Sequence, residues 1–291
     1  MECREVTGLT EPTEEERMDS APVRASAHWL ALREPADAAA RSPELVDQLV
    51  SLLPSGGGTR VHDLGCGTGS MARWLAPRLP GPQHWVLHDR DEELLAEAGR
   101  RAPALSADGG QVTAETRKGD FTRLPPEELA DADLVTASAL LDMLTAAQVD
   151  RLVALCARPG CPVLITLSVV GRVALDPADP LDDRVRLAFN TDQRRTTAAG
   201  RLLGPDAASA AAARFRLLGR EVAVRPSPWR LGPDEAALTA AWFDGWWSAA
   251  CEVRPELADA AGYAERRRAE AAAGSLRVTV HHEDLLVLPV R

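Results

Sequence analysis

The ten residues at 61–70, VHDLGCGTGS, place glycines at 65, 67 and 69 between an apolar, strand-like stretch and a helical one. Few folds require such a turn. Glycine reaches backbone conformations closed to other residues, so it serves where a strand must turn at once into a helix and bring free amides to a ligand. The neighbouring sequence has the matching rhythm. Strands are predicted at 60–64, 84–88, 112–118, 134–137 and 163–169. Helical stretches separate them at 70–79 and 91–99, and a Thr145/Gln148 capping box introduces the apolar stripe Val149, Leu152, Val153 and Cys156. A further helix is predicted from Pro43, with Ser42 as its N-cap and a glycine run at 56–58 as its stop. This alternation predicts an α/β fold of parallel strands joined by crossovers, with helices on both faces.

After Val170 the rhythm breaks at a polar, proline-punctuated segment, DPADPLDDRVRLAFNTDQRR. A helix near 206–217, a strand at 221–225, helices at 233–250 and 255–273 and a final strand or pair of strands at 276–288 follow. The expected organisation is a flexible acidic tail at 1–20, a helical lid or cover at 21–55, and a core at 56–291 with insertions at about 171–200 and 229–274. Composition narrows the partners. A net charge of -10, from 43 acidic and 33 basic residues, disfavours non-specific nucleic-acid binding. The five cysteines are scattered without a Cys-x-x-Cys pair, and no stretch approaches the ~18 apolar residues of a membrane span. The expectation is a cytoplasmic protein with reduced thiols and no membrane partner.

The glycine turn discriminates among ligands. A dinucleotide turn, G-x-G-x-x-G, fails at Ser70, and a phosphate-binding P-loop fails because no lysine follows Gly69. What remains is acidic-x-Gly-x-Gly-x-Gly: Asp63, Gly65, Gly67 and Gly69. Such a turn suits a ligand whose cationic amine lies near a carboxylate. Asp89, at the carboxyl end of the second strand, faces the same crevice and can accept both hydroxyls of a ribose. Asp120, after the third strand, is placed to meet the exocyclic amino group of a base. Together they describe an adenosine site with no demand for phosphate.

With these residues the chain resembles the class I S-adenosylmethionine-dependent methyltransferases. The resemblance rests on VHDLGCGTGS, LHDRD, KGDF, ADLVTASALLDML and RPGCPVLITL, over roughly residues 43–170 with the strand near 221–225 and the last strand. It implies a seven-stranded, mostly parallel Rossmann-like sheet of order 3-2-1-4-5-7-6 with an antiparallel seventh strand, and S-adenosylmethionine as cofactor. It further implies that Asp63, Gly65 and Gly67, within a turn completed by Gly69, hold the methionine part. Asp89 would hold the ribose and Asp120 the adenine amino group, with Ser138 near the sulfonium. Two departures stand out. The family's Pro-Gly-Gly is here Pro159-Gly160-Cys161, and two helices precede the last strand where the family often has a short turn.

For the acceptor, neither Asn/Asp-Pro-Pro-Tyr/Phe nor Pro-Cys follows the fourth strand, which disfavours amino methylation of adenine or glutamine and C5 methylation of cytosine. A small molecule methylated on oxygen or nitrogen is the leading expectation. RNA or protein acceptors, or a non-catalytic partner-binding module, are the alternatives, and the oligomeric state stays open. Asn190, Gln193 and Arg194 are expected to reach the acceptor from one helix, Arg194 suiting an anionic group. Trp229, Trp242 and Trp246 form an aromatic wall or seat a helix on its core. His281 or His282 is the candidate base, and Asp142 a candidate catalytic or acceptor-positioning group. Metal is not expected, because neighbours in His281-His282-Glu283-Asp284 point to opposite faces of a strand. His62 is expected to pack between sheet and helix, Cys66 to fill space, and Arg24, His28 and Trp29 to belong to a lid.

Overall fold

The computed structural model describes residues 25–54 and 58–289. The expected tail at 1–20, Arg24 and the glycines at 56 and 57 lie outside the described residues. Two helices come first, α1 (Ala27–Ala40) and α2 (Pro43–Val50). Ser26 Oγ accepts the Trp29 amide at 3.1 Å and Ser42 Oγ the Leu45 amide at 3.4 Å, so side chains satisfy donors that a helix start leaves open. The central elements follow: β1 (Thr59–Leu64), α3 (Ser70–Leu75), β2 (Gln83–Asp89), α4 (Glu92–Arg100), β3 (Val112–Lys118), β4 (Leu134–Ser138), α5 (Ala146–Ala157) and β5 (Val163–Asp176). Next come α6 (Asp182–Asp192), a small ribbon of β6 (Thr196–Thr197) and β7 (Gly200–Arg201), α7 (Ala207–Leu217) and β8 (Val222–Pro226). The chain closes with β9 (Trp229–Leu231), α8 (Ala236–Val253), α9 (Ala261–Ala272) and β10 (Arg277–Val287).

The sheet runs β3-β2-β1-β4-β5-β10-β8, with β10 antiparallel to both neighbours. This is the expected 3-2-1-4-5-7-6 arrangement of a Rossmann-like methyltransferase. Helices cover both faces. Val149, Leu152 and Val153 of α5 and Phe215 of α7 pack with Val135, Val163 and Leu285 on one side. Leu45 and Leu49 of α2, Trp74 of α3 and Leu95 of α4 pack with Val61, Trp85 and Leu164 on the other. His62 is wholly buried between strands, its Nδ1 3.0 Å from His88 Nε2 and its Nε2 3.1 Å from Asp131.

Several expected boundaries move. β5 does not end near Val169 but continues to Asp176, so the 171–200 insertion begins as strand. The cause is β10, long enough to pair Val280 with Val173 and Val278 with Leu175 beyond the carboxyl edge of the other strands. Leu175, Val278 and Val280 are buried there beneath α6, α8 and α9, giving the cover a hydrophobic core of its own. The last segment is therefore one central strand and not a pair, and β9, absent from the sequence reading, pairs with its outer half. The helix predicted at 70–79 gives way after Leu75 to a 3-10 turn through Pro77. Within the expected cover at 21–55, the first helix runs from Ala27 to Ala40.

Candidate active site

At the carboxyl end of β1 all three motif glycines adopt left-handed backbone, with φ of 67° at Gly65, 55° at Gly67 and 81° at Gly69. The turn is also crowded. A Cβ on Gly65 would lie 3.0 Å from Leu140 Cδ1, and one on Gly67 3.1 Å from Leu30 Cδ1, so α1 rests directly on the turn. Gly69 does not border the cavity above; it starts α3, with Ala98 of α4 packed beside it.

A cavity of about 830 Å³ opens here, lined by Asp63, Gly65, Gly67, Asp89, Asp120 and Ser138 among others. Asp63 is 1% exposed; its Oδ1 accepts the Thr136 hydroxyl at 2.7 Å, and its Oδ2 is buried without a partner. Burial lifts this carboxyl to about 7, against the Thr136 hydrogen bond and the positive charge of Arg41. Asp89 accepts the Gly67 amide at 2.8 Å on Oδ2 and the Asp91 amide at 2.9 Å on Oδ1. Each oxygen keeps a second lone pair, and the first pair ties the glycine turn to β2. Asp120 stands on the rim, its Oδ1 accepting the Thr122 amide at 2.9 Å and hydroxyl at 2.7 Å. Ser138 Oγ accepts from Arg41 and Thr166, each at 3.0 Å, and is followed by Ala139 in a left-handed conformation, φ 50°.

The cavity continues away from the glycines under α1, α6 and α8. Asn190, Gln193, Trp229, Trp242, Trp246, Asp142, His281 and His282 all border it. Arg194 does not. Its guanidinium turns outward to Asp206, at 2.7 and 2.9 Å, and to the Asn190 carbonyl at 2.9 Å. α6 ends at Asp192, so both arginines lie in the turn beyond it, and Arg195, held by Asp192 at 3.0 Å, borders the cavity in place of Arg194. Asn190 donates to the Gly171 carbonyl at 2.8 Å, fixing a bulge of β5.

That bulge changes the expectation for the histidines. Between the pairs Val280/Val173 and His282/Val169, β5 has three residues opposite His281 alone, so strict strand alternation is lost and both histidines border the cavity. Burial and the nearby Arg33 charge push His282 down to about 3, leaving a neutral imidazole at physiological pH, suited to hydrogen bonding and too weak for an ordinary base. His281 is lowered by burial and by Arg172 and Arg230. Asp284 is a fold tie: it accepts the Ser42 and Leu167 amides, each at 2.8 Å, and the Ser227 hydroxyl at 2.5 Å.

Two cavity residues were missed by the sequence reading. Arg33 donates to Asp37 at 2.8 Å and lies 5.8 Å from the centre of the Trp229 ring, and Asp37 accepts the Trp229 indole N–H at 3.0 Å. The i,i+4 spacing of Arg33 and Asp37 was a visible signal of a helical ion pair, but not of its burial. Beneath the turn, Arg41 is 2% exposed and holds Ser70 at 3.3 Å and Ser138 at 3.0 Å. Glu34 anchors α1 to α3 through a two-pronged bond with Arg73, both distances 2.7 Å. Among the described residues no group of three or more His, Cys, Asp or Glu is placed to hold a metal ion, and no helix is long and apolar enough to cross a membrane.

The strand order, the antiparallel seventh strand and an acidic-flanked glycine turn opening on a cavity at the strand ends define a Rossmann-like methyltransferase fold. Residues 61–159 match the family model described as "Methyltransferase domain". That match covers the glycine turn and the elements from β1 to α5, about a third of the chain. Similar solved structures include a SAM-dependent methyltransferase from Geobacter sulfurreducens in complex with S-adenosyl-L-homocysteine, at 19% identity over 91% of this chain and 99% of that one, TM-score 0.42. A SAM-dependent methyltransferase from Thiobacillus denitrificans, also with S-adenosyl-L-homocysteine, matches at 19% identity over 92% and 100%, TM-score 0.42. The YcgJ protein from Bacillus subtilis matches at 14% identity over 86% and 100%, TM-score 0.47. Comparison with curated proteins gives no match. The fold assignment rests on the strand order and the match over 61–159.

Proposed function

We propose that this protein is an enzyme that binds S-adenosylmethionine and transfers its methyl group to an oxygen or nitrogen of a small molecule. The observation that carries the reading is Asp63: a buried carboxylate with one oxygen unpartnered, on a cavity that Asp89 of the neighbouring strand also borders. An isolated buried carboxylate is costly, and a ligand ammonium at Oδ2 removes that cost. Asp63 and the turn at Gly65 and Gly67 would hold the methionine part, Asp89 the ribose through its free lone pairs, Asp120 the adenine edge, and Ser138 the surroundings of the sulfur. The bound donor supplies an activated methyl group. The protein's own task is to hold the acceptor in line about 3 Å from that carbon and to exclude water.

A small acceptor fits the cover. Leu30 lies on Gly67, and α1 is pinned by Glu34 to Arg73, so the space beyond the donor is roofed by protein. This disfavours RNA or a folded protein as acceptor. The division into a cover at 21–55 and a core with two insertions belongs to the same proposal, α1, α6 and α8 forming the roof. Cytoplasmic residence also belongs to it, supported by the free thiols of Cys66, Cys156, Cys161 and Cys251. Calorimetry with S-adenosylhomocysteine tests the donor site: micromolar to submillimolar binding is expected. A folded protein that binds none at millimolar ligand would refute the reading.

A further inference from the structure

Building on the methyltransferase reading, we infer that the acceptor is an amine that enters as an ammonium ion, its nitrogen taken by Asp142 and its apolar body by the tryptophan-lined compartment. Asp142 sits in the 3-10 turn Leu141–Met143, just past the end of β4 and therefore beside the place where Ser138 and Ala139 border the cavity. Other carboxylates around the cavity have protein partners. Asp37 has Arg33 and the Trp229 indole, Asp63 has Thr136, and Asp89 has two backbone amides. Asp142 has only its own backbone amide; among the described residues no cation is within ion-pair distance. The charges it feels are Arg33 and Arg195, and these are already paired with Asp37 and Asp192. Burial raises its carboxyl above the ordinary range. A half-buried carboxylate facing an open cavity without a cation is a recognition group for a cation.

Two further observations point to a ligand in the same compartment. His282, 5% exposed, has a buried Nδ1 without a partner, and Trp246, 2% exposed, a buried Nε1 without a partner. The neutral imidazole can accept an N–H, and the indole can donate to an oxygen or ring on the acceptor's body. Trp29, Trp229, Trp242 and Trp246 line the cavity with aromatic surface, which attracts cations and buries apolar groups; Trp229 already faces one cation, Arg33. An anionic acceptor meets the reverse: Asp142 repels it, and Arg33 and Arg195 are engaged.

The chemistry balances on these groups. Asp142 takes one proton from the ammonium, leaving the nitrogen lone pair free. The nitrogen–methyl bond forms as the sulfur–methyl bond breaks, the bonding pair staying on sulfur and cancelling its positive charge. The product leaves as a methylammonium ion, and Asp142 returns its proton to solvent.

The test uses the full protein saturated with S-adenosylhomocysteine and three probes of similar size: 2-phenylethylamine, 2-phenylethanol and 3-phenylpropanoate. Calorimetry is expected to show the amine binding at least tenfold tighter than the alcohol or the acid. D142N should weaken the amine at least tenfold while S-adenosylhomocysteine affinity stays within twofold; D142E, which keeps the charge, should recover part of the loss. An amine that binds no better than the alcohol or acid overturns the inference, as does a D142N protein that binds the amine unchanged. Failure to bind S-adenosylhomocysteine at all overturns the underlying methyltransferase reading, and the inference with it.

Discussion

The two halves of the cavity are built on different principles. The donor half, from Asp63 to Ser138, lies at the ends of parallel strands and is held by backbone geometry: left-handed glycines, strand ladders and amides donated to Asp89. The acceptor half gathers side chains from α1, α6, α8 and the outer reaches of β5 and β10. It is held by side-chain ties over long sequence separations, such as Arg267 to Asp182 at 2.8 Å, Tyr263 to Asp182 at 2.8 Å and Trp229 to Asp37 at 3.0 Å. The difference teaches where specificity can change. Substitutions in α6 and α8 should alter the pocket with little effect on the strand ends that position the donor, whereas α1 rests on the glycine turn itself.

The largest effect is expected where that separation is strained most. Trp246 stacks on Trp242 at 5.2 Å and is almost wholly buried in the core of the cover. Trp246→Ala should lower unfolding free energy by about 3–5 kcal/mol, read by urea denaturation. If the halves are independent, S-adenosylhomocysteine affinity should stay within about twofold; a parallel collapse of donor binding would break the comparison.

Next comes Asp89, which serves both ligand and turn. D89A should weaken adenosine-containing ligands at least tenfold, about 1.4 kcal/mol, in calorimetry. Unchanged affinity would remove Asp89 from the site.

Asp63 gives a pH signature. Its folded carboxyl titrates near 7, raised from an unfolded value near ~3.9, so the empty fold loses stability from this group as pH rises between those values. A ligand ammonium favours the carboxylate and lowers that pKa. Donor affinity should therefore fall as pH drops below 7, approaching tenfold per unit, with proton release visible as a buffer-dependent binding enthalpy. D63N should abolish the release.

The smallest effect is expected at Arg194, whose pair with Asp206 is at the surface. R194A should leave turnover and donor affinity within about twofold, whereas loss of acceptor methylation would return Arg194 to the pocket.

Legibility in the sequence follows the same division. The first strands and the Thr145 capping box could be read because each depends on local periodicity or on a motif of contiguous residues, whereas the sheet order was implied only by the resemblance to class I methyltransferases. Asp142, His281 and the tryptophans could be named as candidates but not placed. The placement of Arg194 failed because the expected helix stops at Asp192, and sequence does not say how the turn beyond it aims the two arginines. Asp37 was invisible: its burial depends on Trp229, 192 residues away in the chain.

By itself, the sequence determined the alternation of strands and helices, the glycine turn and the carboxylates that follow β1 and β2, because backbone sterics and side-chain period act over a few residues. Only the tertiary structure decided how far β5 and β10 extend, that a bulge brings His281 and His282 to one cavity, and which arginine faces it. Those outcomes depend on pairing and packing between segments far apart in the chain, whose energies no local pattern records.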